Sequence, residues 1–301
     1  MPLTNGSEVF MVEATAGRAV AVLAAGPPDG LPLLFHSGTP AGLVAFAPMI
    51  EAAAERGMRL VMYSRPGYGG SDPQPGRQVA DAAGDVAAIL DHLGAQSFVT
   101  AGWSGGGPHA LASAALLPGR CLAAATIAGV APYPADGLDW LAGMAQENVD
   151  EFHAACDGEA AVTPLLLSAA ETIADVTAQQ VAKAMGGLVT AADRAALTGE
   201  YAAFTAESLR SALRSGIAGW RDDDLAFVRD WGFSLDRLDA VPVSIWQGGQ
   251  DAMVPFAHGQ WLADRIPGAR AHLLPGEGHL TIGVSRFGDI LDELGRLAGT
   301  S

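Results

Sequence analysis

The sequence has few cysteines and few basic residues, and it contains no long apolar run. Its two cysteines, Cys121 and Cys156, allow one disulfide, but we expect two buried free thiols instead, as in a cytosolic protein. Seventeen basic against 33 acidic residues give a net charge of −16, which argues against nucleic acid or an anionic membrane as a partner. The longest apolar stretches are far shorter than the roughly 20 residues of a membrane span. The beginning of the chain lacks the basic and apolar regions of a secretory signal. We therefore expect a cytoplasmic protein.

What the chain does contain is a regular alternation of strand and helix patterns. Half of the residues are apolar, enough for a large core. Short apolar runs separated by helical patterns, among them a helix over 41–57 and a closing helix over 285–297, predict a mostly parallel sheet with helices on both faces. Residues 132–231 show helical patterns without a convincing strand. The fold class expected is therefore α/β: a core formed by residues 1–131 and 232–301, interrupted by a helical lid.

The stretch AGWSGGGPHA, residues 101–110, carries the first chemical signal. Ser104 stands in a G-x-S-x-G pattern between a predicted strand and a predicted helix. A serine at such a sharp turn takes a strained backbone conformation, which glycine neighbours permit, and its hydroxyl then stands clear of the sheet. The other explanation, a phosphate-binding turn, is weak because neither glycine-rich phosphate motif is matched. Ser104 is the candidate nucleophile.

A serine hydroxyl needs a neighbouring base, and the base needs a carboxylate that orients it. Of the seven histidines, His279 is chosen because it lies in a predicted loop just after the last strand. His153 and Cys156 are only weak evidence for a metal site, because they are two ligands without a cluster of carboxylates. Asp251 directly follows another apolar strand, in a glycine-containing loop. The order Ser104, Asp251, His279 is that of a serine hydrolase triad.

Acyl transfer also needs backbone N–H groups that face the developing oxyanion. One predicted donor is the amide of Gly105, immediately after the nucleophile. The other is the amide of Thr39, with Gly38 as the alternative, in the loop HSGTPAG that follows an apolar run.

With these residues in place, the sequence resembles the α/β-hydrolase superfamily over nearly its whole length. FHSGTP is similar to the family's His-Gly-x-Pro oxyanion loop, although Ser37 stands where one variant has a second histidine. SRPGYGGSD, GGQDAMVP and GEGH are similar to the arginine- and glycine-rich loop, the acid loop and the base loop. The resemblance is to the capped group that contains proline iminopeptidase-like and small-ester hydrolases. It implies the α/β-hydrolase fold, with the lid inserted after the strand that follows the nucleophile helix.

The differences from that group reduce the number of activities that we expect. The His-Gly-Gly-Pro-Gly signature of proline iminopeptidases is absent, and no acidic cluster in the lid clearly marks an amine site, so peptidase activity is disfavoured. Ser104 occupies the position where haloalkane dehalogenases and epoxide hydrolases carry aspartate, which argues against both. The expected substrate pocket is apolar, and its candidate residues are His36, Trp103, Trp140, Met144, Trp220 and Met253.

The leading hypothesis is a serine hydrolase of carboxylic esters or related small acyl compounds, working through an acyl-Ser104 intermediate. Alternatives with the same triad are a lactonase, a perhydrolase or an aminopeptidase-like hydrolase. A ligand-binding receptor on the same scaffold is the alternative from another class. No metal or organic cofactor is expected, the partner is a small acyl substrate, and the protein is a monomer or a homodimer.

Overall fold

The computed structural model describes residues 6–299, and its centre is one sheet of eight strands with the order β1-β2-β4-β3-β5-β6-β7-β8. The strands are β1 (Ser7–Glu13), β2 (Ala19–Ala25), β3 (Leu31–His36), β4 (Met58–Tyr63), β5 (Phe98–Trp103), β6 (Cys121–Ile127), β7 (Val243–Gly248) and β8 (Arg270–Leu274). β1 and β2 form an antiparallel pair, and β2 runs antiparallel to β4. From β4 to β8 all neighbours are parallel. The mostly parallel sheet predicted from the sequence is confirmed.

Helices cover both faces of this sheet. The helices of the α/β part are α1 (Ala47–Ala54), α2 (Ala82–His92), α3 (Gly106–Leu116), α10 (Phe256–Arg265), α11 (His279–Ser285) and α12 (Phe287–Ala298). Neighbouring side chains of β5 enter different cores: Phe98 packs in the core that contains residues of α2 and α3, and Val99 in the core that contains residues of α12. Two buried faces explain why the parallel strands read as continuous apolar runs.

The chain between β6 and β7 is helical in the structure. It contains α4 (Gln146–Asp157), α5 (Glu159–Ile173), α6 (Val181–Ala184), α7 (Ala191–Ala196), α8 (Gly199–Ala212) and α9 (Ala218–Phe227). We call residues 132–231 the insert; its role as a lid is a proposal. No helix within residues 6–299 is long and apolar enough to cross a membrane.

The predicted helix over 41–57 is wrong in its first part, because the helix begins only at Ala47. The residues before it contact the insert instead. The amide of Gly42 donates to the carbonyl of Ser208 at 3.0 Å, and the ring of Phe46 stacks on Phe204. Their apolar spacing reflects contact with the insert. Packing between elements, not helical periodicity, accounts for it.

Two smaller expectations are also corrected. The closing helix is two helices, since α11 ends at Ser285 and α12 begins at Phe287. Both cysteines are free thiols, but only Cys121 is buried, while Cys156 is exposed at the end of α4.

Candidate active site

Ser104 stands at the turn between β5 and α3. Its φ of +55° places a residue with a side chain in the left-handed region, a strain of order 1–3 kcal/mol that surrounding structure must hold. Its amide donates to the carbonyl of Ile127 at 2.8 Å, and its carbonyl accepts from the amide of Gly107 at 2.8 Å. A Cβ at position 102 would lie 2.1 Å from the carbonyl oxygen of Gly106. Glycine at 102 therefore permits the close approach of strand and helix that presents the serine.

Asp251 and His279 meet beside this turn. Asp251 follows β7 and His279 is the first residue of α11, rather than a loop residue as predicted. The Asp251 Oδ2 atom lies 2.8 Å from His279 Nδ1, and both residues are buried. The amides of Met253 and Val254 donate to Asp251 Oδ1, each at 2.8 Å. With Nδ1 held by the carboxylate, Nε2 is the ring nitrogen left for proton transfer.

The backbone of His279 is fixed as well as its ring. The indole N–H of Trp103 donates to the His279 carbonyl at 3.2 Å, and the two rings lie 5.2 Å apart between centroids. At the other end, the His279 amide donates to Asp193 Oδ2 at 3.1 Å. Asp193 lies in α7 of the insert, and no local pattern in the sequence identified it.

The loop after β3 also approaches Ser104. A Cβ at Gly38 would lie 3.4 Å from Ser104 Cβ, and a Cβ at Gly105 would lie 2.4 Å from Thr39 Oγ1. Of the three predicted oxyanion residues, Gly38 and Gly105 therefore adjoin Ser104, and Thr39 lies against Gly105. This is the position at which amide donors could stabilise a tetrahedral intermediate.

A buried ion-pair network supports that loop. Arg65 donates to the carbonyl of Gly38 at 2.8 Å, to Thr39 Oγ1 at 2.9 Å and to Asp223 Oδ2 at 2.6 Å. Arg77 donates to Asp223 Oδ1 at 2.6 Å. Burial opposes ionisation of Asp223, but the charges of Arg65 and Arg77 hold the pKa of this carboxyl well below its usual value. Asp223 belongs to α9 of the insert, and no local pattern in the sequence indicated its contact with this loop.

Two histidines near this loop are structural. His36 lies between Tyr63 Oη and Ser113 Oγ, at 3.3 Å from each, and His109 Nδ1 lies 2.8 Å from the Gly105 carbonyl. Burial, with the positive charge of Arg65, lowers the pKa of His109 to about 3. Burial, with His109 and Arg65, also lowers the pKa of His36 well below its ordinary value. Both imidazoles are therefore neutral supports.

Ser104 and His279 open into one cavity of about 740 Å³. Of the predicted pocket residues, Trp103, Trp220 and Met253 line it, as do Gly38 and Thr39. Most of the other walls are apolar or aromatic, and these include Phe46, Met49, Leu188, Tyr201, Phe204, Leu209, Leu280 and Phe287. The insert supplies a large part of this lining.

Three predicted pocket residues lie elsewhere. His36 is buried at the end of β3, between Tyr63 and Ser113. Trp140 donates its indole N–H to the Ala131 carbonyl at 2.8 Å and packs edge-on against Phe152. Met144 is buried in the same core cluster as Trp140. Trp140 and Met144 fill the junction of the insert with the α/β core. A helical spacing of aromatic residues in the sequence cannot distinguish such a junction from a pocket wall.

The described residues contain no group of three or more histidine, cysteine, aspartate or glutamate side chains arranged to hold a metal ion. His153 and Cys156 therefore have no third potential metal ligand beside them within residues 6–299. What the structure brings together is a serine hydroxyl at a strained turn and an imidazole bound to a carboxylate, at the wall of one cavity.

Comparisons with known proteins agree with this architecture. Residues 32–284 match the protein family described as alpha/beta hydrolase fold. A non-heme chloroperoxidase from Streptomyces lividans is 31% identical over 241 residues, which cover 77% of this chain and 78% of the chloroperoxidase. A bromoperoxidase structure from Bacillus anthracis has a TM-score of 0.70 at 22% identity and covers 95% of this chain and 99% of its own. A thermophilic esterase from Thermogutta terrifontis has a TM-score of 0.67 at 20% identity, with 97% and 99% covered. The two structural likenesses bear on the fold alone.

Proposed function

Because this chain belongs to the alpha/beta hydrolase fold family, we propose that it is a serine hydrolase of carboxylic esters or related small acyl compounds. The observation that carries the proposal is the 2.8 Å contact of Asp251 Oδ2 with His279 Nδ1, at the wall of the cavity that also exposes Ser104. A carboxylate bound to one imidazole nitrogen fixes the tautomer whose other nitrogen acts as base.

In the proposed reaction, His279 Nε2 takes the proton of Ser104 Oγ as that oxygen attacks the acyl carbon. The carbonyl oxygen becomes an oxyanion, which accepts hydrogen bonds from the amides of Gly105 and Thr39. As the intermediate collapses, the imidazolium gives its proton to the leaving alcohol, and an acyl-Ser104 ester remains. Water then attacks that ester, His279 accepts the water proton, and the acid leaves as Ser104 is reprotonated.

The cavity supports a small or medium-sized, largely apolar acyl substrate. Its volume of about 740 Å³ lies within the range of small-molecule sites. Trp220, Tyr201 and Phe204 of the insert face the same space as Ser104. We therefore propose that the insert acts as a lid that covers the acyl group and excludes water from it.

The test is hydrolysis of p-nitrophenyl esters from acetate to laurate by wild type, Ser104→Ala and His279→Ala. We expect multiple turnover with an optimum at one acyl length, and a loss of kcat in Ser104→Ala of about 10⁶-fold. The matched control is Ser168→Ala, which removes an exposed hydroxyl in α5 and should keep wild-type kcat. Undiminished hydrolysis in Ser104→Ala contradicts the proposal. A stoichiometric burst without turnover favours the receptor alternative.

Perhydrolysis is the second candidate, because the Streptomyces lividans relative is named a non-heme chloroperoxidase. In this reaction hydrogen peroxide replaces water in the attack on acyl-Ser104 and the product is a peracid. Adding hydrogen peroxide and a short carboxylic acid, and measuring the halide oxidation that the peracid causes, tests it. Peracid formation that disappears in Ser104→Ala supports this activity, and formation at the uncatalysed rate excludes it.

A further inference from the structure

The insert contributes a buried carboxylate to the base of the triad. Asp193 lies in α7 and is 0% exposed. The hydroxyl of Thr190, which precedes the helix, donates to Asp193 Oδ2 at 3.1 Å and accepts from the Asp193 amide at 3.3 Å. These contacts orient the carboxylate toward α11.

The Asp193 carboxylate accepts from three consecutive amides at the beginning of α11. Its Oδ2 accepts from His279 N at 3.1 Å, and its Oδ1 accepts from Leu280 N at 2.7 Å and Thr281 N at 3.1 Å. The first amides of a helix have no partner within the helix, so an outside acceptor decides where that end of the helix lies. Here the acceptor belongs to the insert, while the helix begins with the proposed base.

The approach is close enough to restrict the residue before the base. A Cβ at Gly278 would lie 2.4 Å from Asp193 Oδ1, which is too short for any ordinary contact. Gly278 has φ of −102° and needs no left-handed conformation. A side chain at position 278 would therefore have to displace the carboxylate of Asp193, whereas the turn itself would accept one.

We propose that Asp193 is a positioning residue for His279, and that the insert thereby completes the proton-transfer machinery as well as covering the cavity. This inference rests on the proposed function, because it takes His279 to be the general base. The ring is held through Nδ1 by Asp251, the carbonyl by Trp103 and the amide by Asp193. Release of the amide frees the backbone that sets the height of the ring relative to Ser104.

Asp193→Asn is the first test, since it preserves the shape of the side chain but leaves only one acceptor oxygen. The side-chain NH2 group of the asparagine would replace one of the two carboxylate oxygens, and it would repel the backbone N–H that this oxygen bound. We expect kcat for the best p-nitrophenyl ester to fall about 10- to 100-fold, the effect of a small misplacement of a reacting group, while KM stays within about 3-fold because the cavity wall is intact. Asp175→Asn, which changes an exposed aspartate of the insert, is the matched control and should retain wild-type kcat and KM.

Gly278→Ala tests the same contact without removing the carboxylate, and it decides the matter if Asp193→Asn does not fold. Circular dichroism and gel filtration establish the folded state of each variant. We expect Gly278→Ala to lower kcat in the same way, and the double variant to lose less than the product of the two single losses, because both break one interaction. Wild-type kcat in folded Asp193→Asn or Gly278→Ala overturns the inference. So does a raised KM at unchanged kcat.

Ser104→Ala and His279→Ala on the same ester separate the two possible failures. If they retain wild-type activity, the proposed function itself fails. If activity depends on both residues but not on Asp193 or Gly278, only the positioning role fails.

Discussion

At the scale of single residues, the oxyanion loop is clamped between the nucleophile turn and the insert. Thr39 Oγ1 donates to Asp223 Oδ2 at 2.7 Å, and a Cβ at Gly105 would lie 2.4 Å from the same oxygen. The hydroxyl of Thr39 has no room to retreat from an added group at 105. The proposed amide donors, Gly105 and Thr39, are therefore coupled by contact.

Gly105→Ala should consequently impair catalysis more than binding. The added Cβ would lie 2.4 Å from Thr39 Oγ1, so the loop must shift and the two amides no longer converge. We expect kcat to fall about 10²- to 10³-fold, as when one oxyanion donor is removed. The measurement is steady-state ester hydrolysis by folded protein.

Gly119→Ala provides the matched control, because a Cβ there meets nothing within 4 Å. It should hydrolyse the ester at the wild-type rate. Wild-type kcat in Gly105→Ala would show that the contact with Thr39 has no catalytic consequence.

At the scale of elements, α4 and α9 are joined by two neighbouring carboxyl groups, of which Asp224 is buried and Glu151 is half-buried. The carboxyl groups of Glu151 on α4 and Asp224 on α9 interact with each other, and Glu151 Oε1 also accepts from the Trp220 indole at 2.8 Å. Burial raises the pKa of both carboxyls, and the charge of Glu151 raises the pKa of Asp224 further. The folded protein therefore keeps a proton that the unfolded chain releases above about pH 4.

This proton makes the stability of the insert depend on pH in a definite direction. Since the native state binds more protons, wild type loses stability as the pH rises above about 4, until the raised pKa is passed. Asp224→Asn is neutral in both states and avoids that loss. We expect its urea midpoint to equal that of wild type near pH 4 and to exceed it at pH 8.

Asp175→Asn is again the control, because an exposed aspartate should shift the midpoint equally little at both pH values. A difference between Asp224→Asn and wild type that does not change with pH would contradict the shared proton.

The elements also show which parts of the structure the sequence can predict. The turn at Ser104 was predictable because its signal is local: glycines, an apolar strand and a helix within a few residues. The prediction of a helix over 41–57 was wrong in its first part because Gly42 and Phe46 make their contacts with the insert, which is far away in sequence. Asp193 and Asp223 could not be found for the same reason, since their partners lie far away in sequence. Asp193 contacts His279 of α11, 86 residues away, and Asp223 contacts Arg65, 158 residues away.

At the scale of the whole molecule, the insert and the α/β core share their packing. One apolar cluster contains Phe152 and Phe227 of the insert together with Leu111 of α3 and Val243 of β7. The ion pairs of Asp223 with Arg65 and Arg77 cross the same boundary. Removing one partner of a buried pair typically costs about 3–5 kcal/mol. Separate unfolding of the insert would forfeit both kinds of contact.

We therefore expect the insert and the core to unfold together. In urea, tryptophan fluorescence, far-ultraviolet circular dichroism and ester hydrolysis should report coincident transitions. The fluorescence samples both parts, because Trp140, Trp220 and Trp231 lie in the insert and Trp103, Trp246 and Trp261 outside it.

Phe152→Ala sharpens this test, because Phe152 packs against Trp140 with ring centroids 4.6 Å apart. It should lower the stability of the entire protein by about 3–5 kcal/mol, so that all three signals move together. Leu167→Ala, at a side chain that is 52% exposed on α5, should leave them unmoved. If Phe152→Ala instead produces an early fluorescence change while most of the circular dichroism signal keeps its wild-type midpoint, the insert unfolds by itself. The contacts of Asp193 with α11 and of Asp223 with Thr39 and Arg65 would then break before the sheet does, and activity would be lost with the first transition.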